Sequence, residues 1–172
     1  IGCEGVLLLM ADSTNVERSG HSLSESTIGQ TFNRIFANAK GRVIVATFAS
    51  NIHRMQQVID ASMMYGRKVV FNGRSMENVS KVSRELGYLH IPETHIIDVD
   101  EIGEYPNDKI TILTTGSQGE SMAALSRMAS DVHKKVTIMP GDTVIFSSNP
   151  IPGNEKEINN VYAKDPLKRF GG

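Results

Sequence analysis

Small, hydroxyl-bearing and glycine residues follow each apolar run of this sequence. Such residues bind phosphate groups through backbone N–H and hydroxyl donors, and Arg74, directly after Gly73, could add a guanidinium. The same residue types also cap helices and form turns, and a surface ion pair is an equally good explanation of Arg74. Five such loops together favour an anionic, phosphate-like ligand. The candidate contacts are Ser50, Asn51, Arg74, Ser75, Ser117, Gln118, Gly119, Glu120 and Ser148.

Asp12 is the candidate catalytic residue. It comes directly after the apolar run Val6–Met10 and Ala11. A carboxylate in that position is costly to bury unless it has a partner, so it is either a helix or turn cap or a functional acid.

The sequence offers no metal ligand set. The five histidines are well separated, without a His-x-His or His-Glu-x-x-His spacing, and a single cysteine excludes a Cys-x-x-Cys pair. The phosphate-loop, dinucleotide-binding and nucleophile-elbow motifs are missing as well. We therefore assign no residue of this chain as a metal ligand and expect no cofactor in it.

The elements that must position these residues alternate along the chain. Apolar runs without period-2 alternation are typical of parallel strands covered on both faces, and helical stripes separate them at roughly 30-residue intervals, the size of a βα unit. We predict one α/β domain over residues 1–172, with a mostly parallel, doubly wound, Rossmann-like sheet and helices on both faces. Ile96–Asp98 could form a further short strand, and residues 163–172 are a tail of uncertain order. The predicted strands are Val6–Met10, Val43–Thr47, Lys68–Phe71, Ile110–Thr114 and Thr143–Phe146.

Composition limits the function classes. The 172 residues carry a formal charge of −1, which excludes a broadly basic nucleic-acid-coating protein. The single cysteine favours a reducing, cytoplasmic location, and the longest apolar run is far shorter than the ~20 residues that span a bilayer. The chain starts without Met and ends in Gly171–Gly172, so we expect a piece of a larger protein.

Several loop segments, taken in order along the chain, carry motifs that are highly specific together although each alone is not. They are Ala11–Asn15, Ala46–Asn51 with Arg54 and Gln56–Gln57, Gly73–Met76, Thr114–Glu120, Leu125–Ala129, Gly141–Ser148 and Pro150–Glu155. These segments resemble the β-CASP domain of the ribonuclease J family, and the resemblance runs from about Gly5 to Val161.

That resemblance implies a metal-dependent RNase with 5′-to-3′ exonuclease and endonuclease activity in RNA processing and decay. The β-CASP domain would form one wall of the RNA cleft, against a metallo-β-lactamase domain that holds two zinc or manganese ions. It implies RNA as partner and a homo-oligomer in the full-length form. Asp12 falls on an acidic family motif that is thought to assist proton handling. This chain alone would be inactive, because it lacks the family's His-x-His-x-Asp-His segment.

Two alternatives belong to other classes. A free-standing flavodoxin-like or phosphosugar-type module would hold a small phosphorylated ligand at the same strand ends. A small-molecule enzyme would use Asp12 as its nucleophile.

Overall fold

The computed structural model describes residues 25–120, 123–148, 151 and 153–164, together with Gly5, Leu7, Leu8 and Met10. Strands and helices alternate within this part of the chain, and three short 3₁₀ turns lie between α3 and β3. No helix of the described residues is long and apolar enough to cross a membrane. The elements are α1 (Glu25–Asn38), β1 (Val43–Ala46), α2 (Ile52–Met64), β2 (Lys68–Asn72), α3 (Arg74–Glu85), β3 (Ile110–Thr114), α4 (Ala124–Ala129), β4 (Thr143–Phe146) and α5 (Glu155–Lys164).

The four strands form one sheet in the order β2-β3-β1-β4, and every neighbouring pair is parallel. In the centre of the sheet, Val45 lies in register with Leu113 of β3 and with Ile145 of β4. The α/β, parallel, Rossmann-like fold predicted from the sequence is therefore confirmed.

Helices cover both faces of the sheet. Val43 and Val45 of β1 belong to the core on one face, which α1, α2 and α3 supply with Phe36, Val58 and Met76. Ile44 and Ala46 belong to the core on the opposite face, which α4 and α5 cover. Because neither face of β1 meets water, both sets of alternating side chains are apolar, which explains the uninterrupted apolar runs in the sequence.

Four of the five predicted strands are present with nearly the predicted ends. The fifth, Val6–Met10, is not formed by its described members: Leu7, Leu8 and Met10 are exposed and lie outside the sheet. An apolar run predicts burial but does not identify the surface that covers it. Ile96 makes only a single parallel bridge to Val69 instead of a strand.

Buried arginines hold the amino ends of the strands together. Arg42 precedes β1 and forms a two-point ion pair with Asp142, which precedes β4; the Nε–Oδ1 distance is 2.9 Å. Arg67 precedes β2 and donates to the carbonyl oxygens of Ala39, Gly41 and Ile110. Burial lowers the pKa of Arg67, against an opposing effect of Asp108. At the amino edge of the sheet, these polar groups are consequently used in bonds within the chain itself.

Candidate functional site

The carboxyl ends of β1 and β3 border a topological switch point. These strands are neighbours, yet the chain leaves β1 through α2 toward β2 and leaves β3 through α4 toward β4. Helices α2 and α4 cover opposite faces of the sheet, so the two loops diverge. In open α/β sheets, ligands bind in the crevice that such diverging loops create.

The loop after β1 leads directly into α2. The Asn51 side chain accepts a hydrogen bond from the Arg54 backbone N–H at 3.0 Å and so caps the helix, while Ser50 beside it is exposed. No acidic residue lies in the first turn of α2. The partial positive charge of this helix end is therefore not neutralised by a carboxylate of its own first turn.

Arg54 connects this loop to the end of β4. Its side chain is buried, and Nη1 donates to the carbonyl oxygen of Ser147 at 3.0 Å and to the Ser147 hydroxyl at 2.6 Å. The Thr47 hydroxyl donates to the same carbonyl at 3.5 Å. Ser147 thus links the carboxyl ends of the neighbouring strands β1 and β4.

The loop after β3 connects to the same segment from the other side. Ser117 and Gln118 are each 2% exposed. The Gln118 Nε2 donates to the Ser148 hydroxyl at 3.0 Å, and that hydroxyl donates to the Ser117 carbonyl at 3.4 Å. The exposed Glu120 accepts from the Gln118 backbone N–H at 3.3 Å. The structure therefore brings together four predicted site residues, namely Ser117, Gln118, Glu120 and Ser148.

Gly119 packs against the backbone of α5. Its φ of +76° is in the left-handed region, and a Cβ there would lie 2.4 Å from the carbonyl carbon of Glu157. No side chain fits in that space, so glycine lets the loop after β3 contact the helix directly.

The remaining predicted residues, Arg74 and Ser75, lie at the start of α3, after the outer strand β2. Both are exposed. The Gly73 backbone N–H donates to a carboxylate oxygen of Glu77 at 3.1 Å, so this helix start is partly neutralised by its own first turn. Since β3 and β1 lie between β2 and β4, these two residues lie at the same sheet edge but on the far side of it from Ser147 and Ser148.

His133 is a half-buried titratable residue near the carboxyl end of β2. Its Nδ1 accepts from the backbone N–H of Val136 at 3.1 Å, and its Nε2 lies 3.4 Å from the side-chain amide of Asn72, the last residue of β2. Burial lowers the pKa of His133, and the positive charges of Arg127 and Lys135 lower it further. The lowered pKa favours the neutral imidazole, whose Nδ1 accepts this backbone hydrogen bond.

No metal-binding group occurs in the part of the chain that the structure describes, since no three His, Cys, Asp or Glu side chains come together there. Asp12, the predicted catalytic acid, lies outside the described residues. The described residues accordingly do not fit a metal centre.

Sequence reasoning placed Arg54 in a motif but not in the site. Arg54 lies three residues after the helix cap Asn51, and no local pattern distinguishes a buried arginine there from a solvated one. Its partner Ser147 is 93 residues away in the chain. Only the parallel pairing of β1 with β4 brings the two together.

Residues 40–164 match the family described as ribonuclease J, beta-CASP domain. The chain belongs to this family. The ribonuclease J of Helicobacter pylori is 50% identical over 160 residues, which cover 93% of this chain and 23% of that protein. The Thermus thermophilus ribonuclease J is 51% identical over 160 residues, 93% of this chain and 28% of that protein. The Mycolicibacterium smegmatis ribonuclease J is 47% identical over 171 residues, 99% of this chain and 30% of that protein. The chain thus spans less than a third of the length of these relatives.

Proposed function

We propose that this chain is the single β-CASP domain of a metal-dependent ribonuclease, and that the carboxyl edge of its sheet forms one wall of the RNA cleft. One observation carries the proposal: in a β-CASP domain of the ribonuclease J family, polar residues border the crevice between the diverging loops after β1 and β3. The relatives are named as ribonucleases, and RNA presents the phosphates that such loops suit.

The exposed candidates are the ones we assign to direct contact with RNA. Ser50 lies at the start of α2, whose first turn lacks a carboxylate, and Arg74 and Ser75 lie exposed at the same sheet edge. Asn51 is half-buried and would offer its side-chain amide N–H groups to phosphate. Ser117, Gly119 and Ser148 contribute through the shape of the loops, since the Ser148 hydroxyl already donates to the Ser117 carbonyl oxygen, and Glu120 borders them.

We further propose that the remainder of the protein supplies the catalytic centre. The described residues offer no metal ligand set, so two zinc or manganese ions would be held by a metallo-β-lactamase domain outside this chain. Asp12 would assist proton handling beside it. A cytoplasmic location, a homo-oligomeric assembly, and combined 5′-to-3′ exonuclease and endonuclease activity complete the proposal.

Hydrolysis of 5′-monophosphorylated RNA by the full-length protein tests this function. We expect Asp12→Asn to lower turnover by about 100-fold or more, the usual size of a proton-transfer contribution. Asp60→Asn, at an exposed position on α2, is the matched control and should retain normal turnover. The 172-residue chain alone should not hydrolyse RNA. A full-length wild-type protein without ribonuclease activity, or normal turnover in Asp12→Asn, would contradict the proposal.

A further inference from the structure

The Gln118 side-chain amide uses both of its ends inside the protein. Its Nε2 donates to the Ser148 hydroxyl at 3.0 Å. Its Oε1 accepts from the Ile151 backbone N–H at 2.8 Å and from the Asn154 side-chain amide at 3.4 Å. The residue is 2% exposed, so solvent and ligands do not reach most of it.

These bonds join two loops that the sheet itself does not connect. Gln118 lies after β3, whereas Ser148, Ile151 and Asn154 lie between β4 and α5. In the sheet, β1 separates β3 from β4, and no ladder of backbone hydrogen bonds links those two strands. The amide therefore crosses over the end of β1, beside the switch point.

We propose that Gln118 is a positioning residue, which holds Ser148, Ile151 and Asn154 against the loop after β3 and so sets the width of the RNA-facing crevice. This inference rests on the proposed function. It assigns Gln118 a role through Ser148 and Ile151 and not through direct contact with phosphate. A buried amide suits this role because removing it breaks three part-buried hydrogen bonds at once, which favours a different loop position.

The steady-state kinetics of RNA hydrolysis by the full-length protein test the proposal. Gln118→Met keeps the approximate length of the side chain and removes all of these bonds. Since a shift of about 1 Å in a binding group can cost up to about 100-fold, we expect KM to rise by about 10-fold or more. We expect kcat to stay within about threefold, because the lost interaction serves binding. Gln30→Met, on the exposed side of α1, is the matched control and should behave as wild type.

Ser148→Ala is a second variant, which removes only a hydroxyl group. It tests the positioning role of Gln118 if Gln118→Met does not fold. We expect it to raise KM as well. In the double variant, the rise should not exceed that of the more severe single variant, because both changes break the same connection. Multiplicative effects would instead identify two independent RNA contacts and overturn the positioning role.

Hydrogen exchange in the full-length protein gives a readout that does not depend on activity. Gln118→Met should lose protection at the Ile151 amide, whereas Gln118→Glu keeps an acceptor oxygen and should retain it. Unchanged exchange in Gln118→Met, or wild-type KM in that variant, would overturn the inference. An inactive wild-type protein would instead contradict the proposed function, and the exchange result would still decide whether Gln118 holds the loop.

Discussion

Arg54 Nη1 donates to both the carbonyl oxygen and the hydroxyl oxygen of Ser147, at 3.0 Å and 2.6 Å. One guanidinium group thereby fixes the first turn of α2 to the residue that follows β4. Its Nε also donates to Gln57 within the same helix, at 3.1 Å. The loops after β1 and β4 are consequently held together by a buried side chain.

Replacement of Arg54 by Met should destabilise the chain. The substitution leaves the Ser147 carbonyl without its charged donor, and hydrogen bonds to charged groups contribute about 1.5–3 kcal/mol to the free energy of unfolding. Urea denaturation of the 172-residue chain measures the change. Arg34→Met, on the exposed side of α1, is the control and should change stability by less than about 0.5 kcal/mol. Equal effects of the two variants would contradict the anchoring role of Arg54.

The ion pair of Arg42 and Asp142 should be essential for stability because it is buried. Its side chains are 5% and 2% exposed, and Asp142 also accepts from the Met139 backbone N–H at 2.8 Å. Asp142→Asn leaves a buried guanidinium without its counter-charge, so we expect a loss of about 3–5 kcal/mol in urea denaturation. Asp100→Asn breaks an exposed pair with Lys135 and should leave the denaturation midpoint unchanged. A similar midpoint for both variants would contradict the expectation that the buried ion pair contributes more to stability than the exposed one.

Glycine-to-alanine substitutions should have opposite effects at two positions. At Gly119, a Cβ would collide with the α5 backbone and the φ of +76° is unfavourable for alanine, so Gly119→Ala should destabilise the chain. At Gly29, inside α1, no atom lies within 4 Å of the added Cβ, and alanine should stabilise the chain by about 0.5–1 kcal/mol. Thermal unfolding measures both. A stabilised Gly119→Ala variant would show that the loop does not pack against α5.

His133 should make stability depend on pH below neutrality. Its pKa in the folded chain lies below the ordinary value of 6.5, so the unfolded chain binds a proton more readily than the folded chain. Stability is therefore full above pH 6.5 and decreases as the pH falls through that value toward the lower folded pKa. Urea denaturation at about pH 7.5 and about pH 5.5 measures this slope. His133→Gln should flatten the slope, and His53→Gln, at an exposed position, should not. An unchanged slope in His133→Gln would mean that other titratable groups cause the pH dependence of stability.

The sheet was predictable because both of its faces are covered. Each described strand is a short apolar run bounded by loop residues. The local residue types therefore indicate where along the chain the strand lies, as Ile110–Thr114 illustrates. The order of the strands was not predictable, because nothing in the sequence places β1 between β3 and β4. Leu7 and Leu8 are exposed despite their apolar run, since such a run indicates burial without identifying the covering surface.

The candidate site was predictable at the level of loops but not of individual contacts. Strand ends at one edge follow from the parallel fold, and Ser117, Gln118 and Ser148 do lie in contact at that edge. Their burial, and the use of the Gln118 amide within the protein, depend on how the loop after β3 packs against α5. That packing is a tertiary contact, and no residue spacing in the sequence encodes it.

The proposed function places the carboxyl edge of the sheet, and not its amino edge, against RNA. Charge reversal at one exposed residue of each edge tests it in the full-length protein: Arg74→Glu after β2, and Lys40→Glu before β1. Binding of 5′-monophosphorylated RNA at physiological salt is the measurement. We expect Arg74→Glu to raise the dissociation constant by about 10-fold, since a phosphate contact becomes a repulsion, and Lys40→Glu to change it by less than about twofold. Equal effects, or a larger effect of Lys40→Glu, would contradict the assignment of the RNA-facing edge.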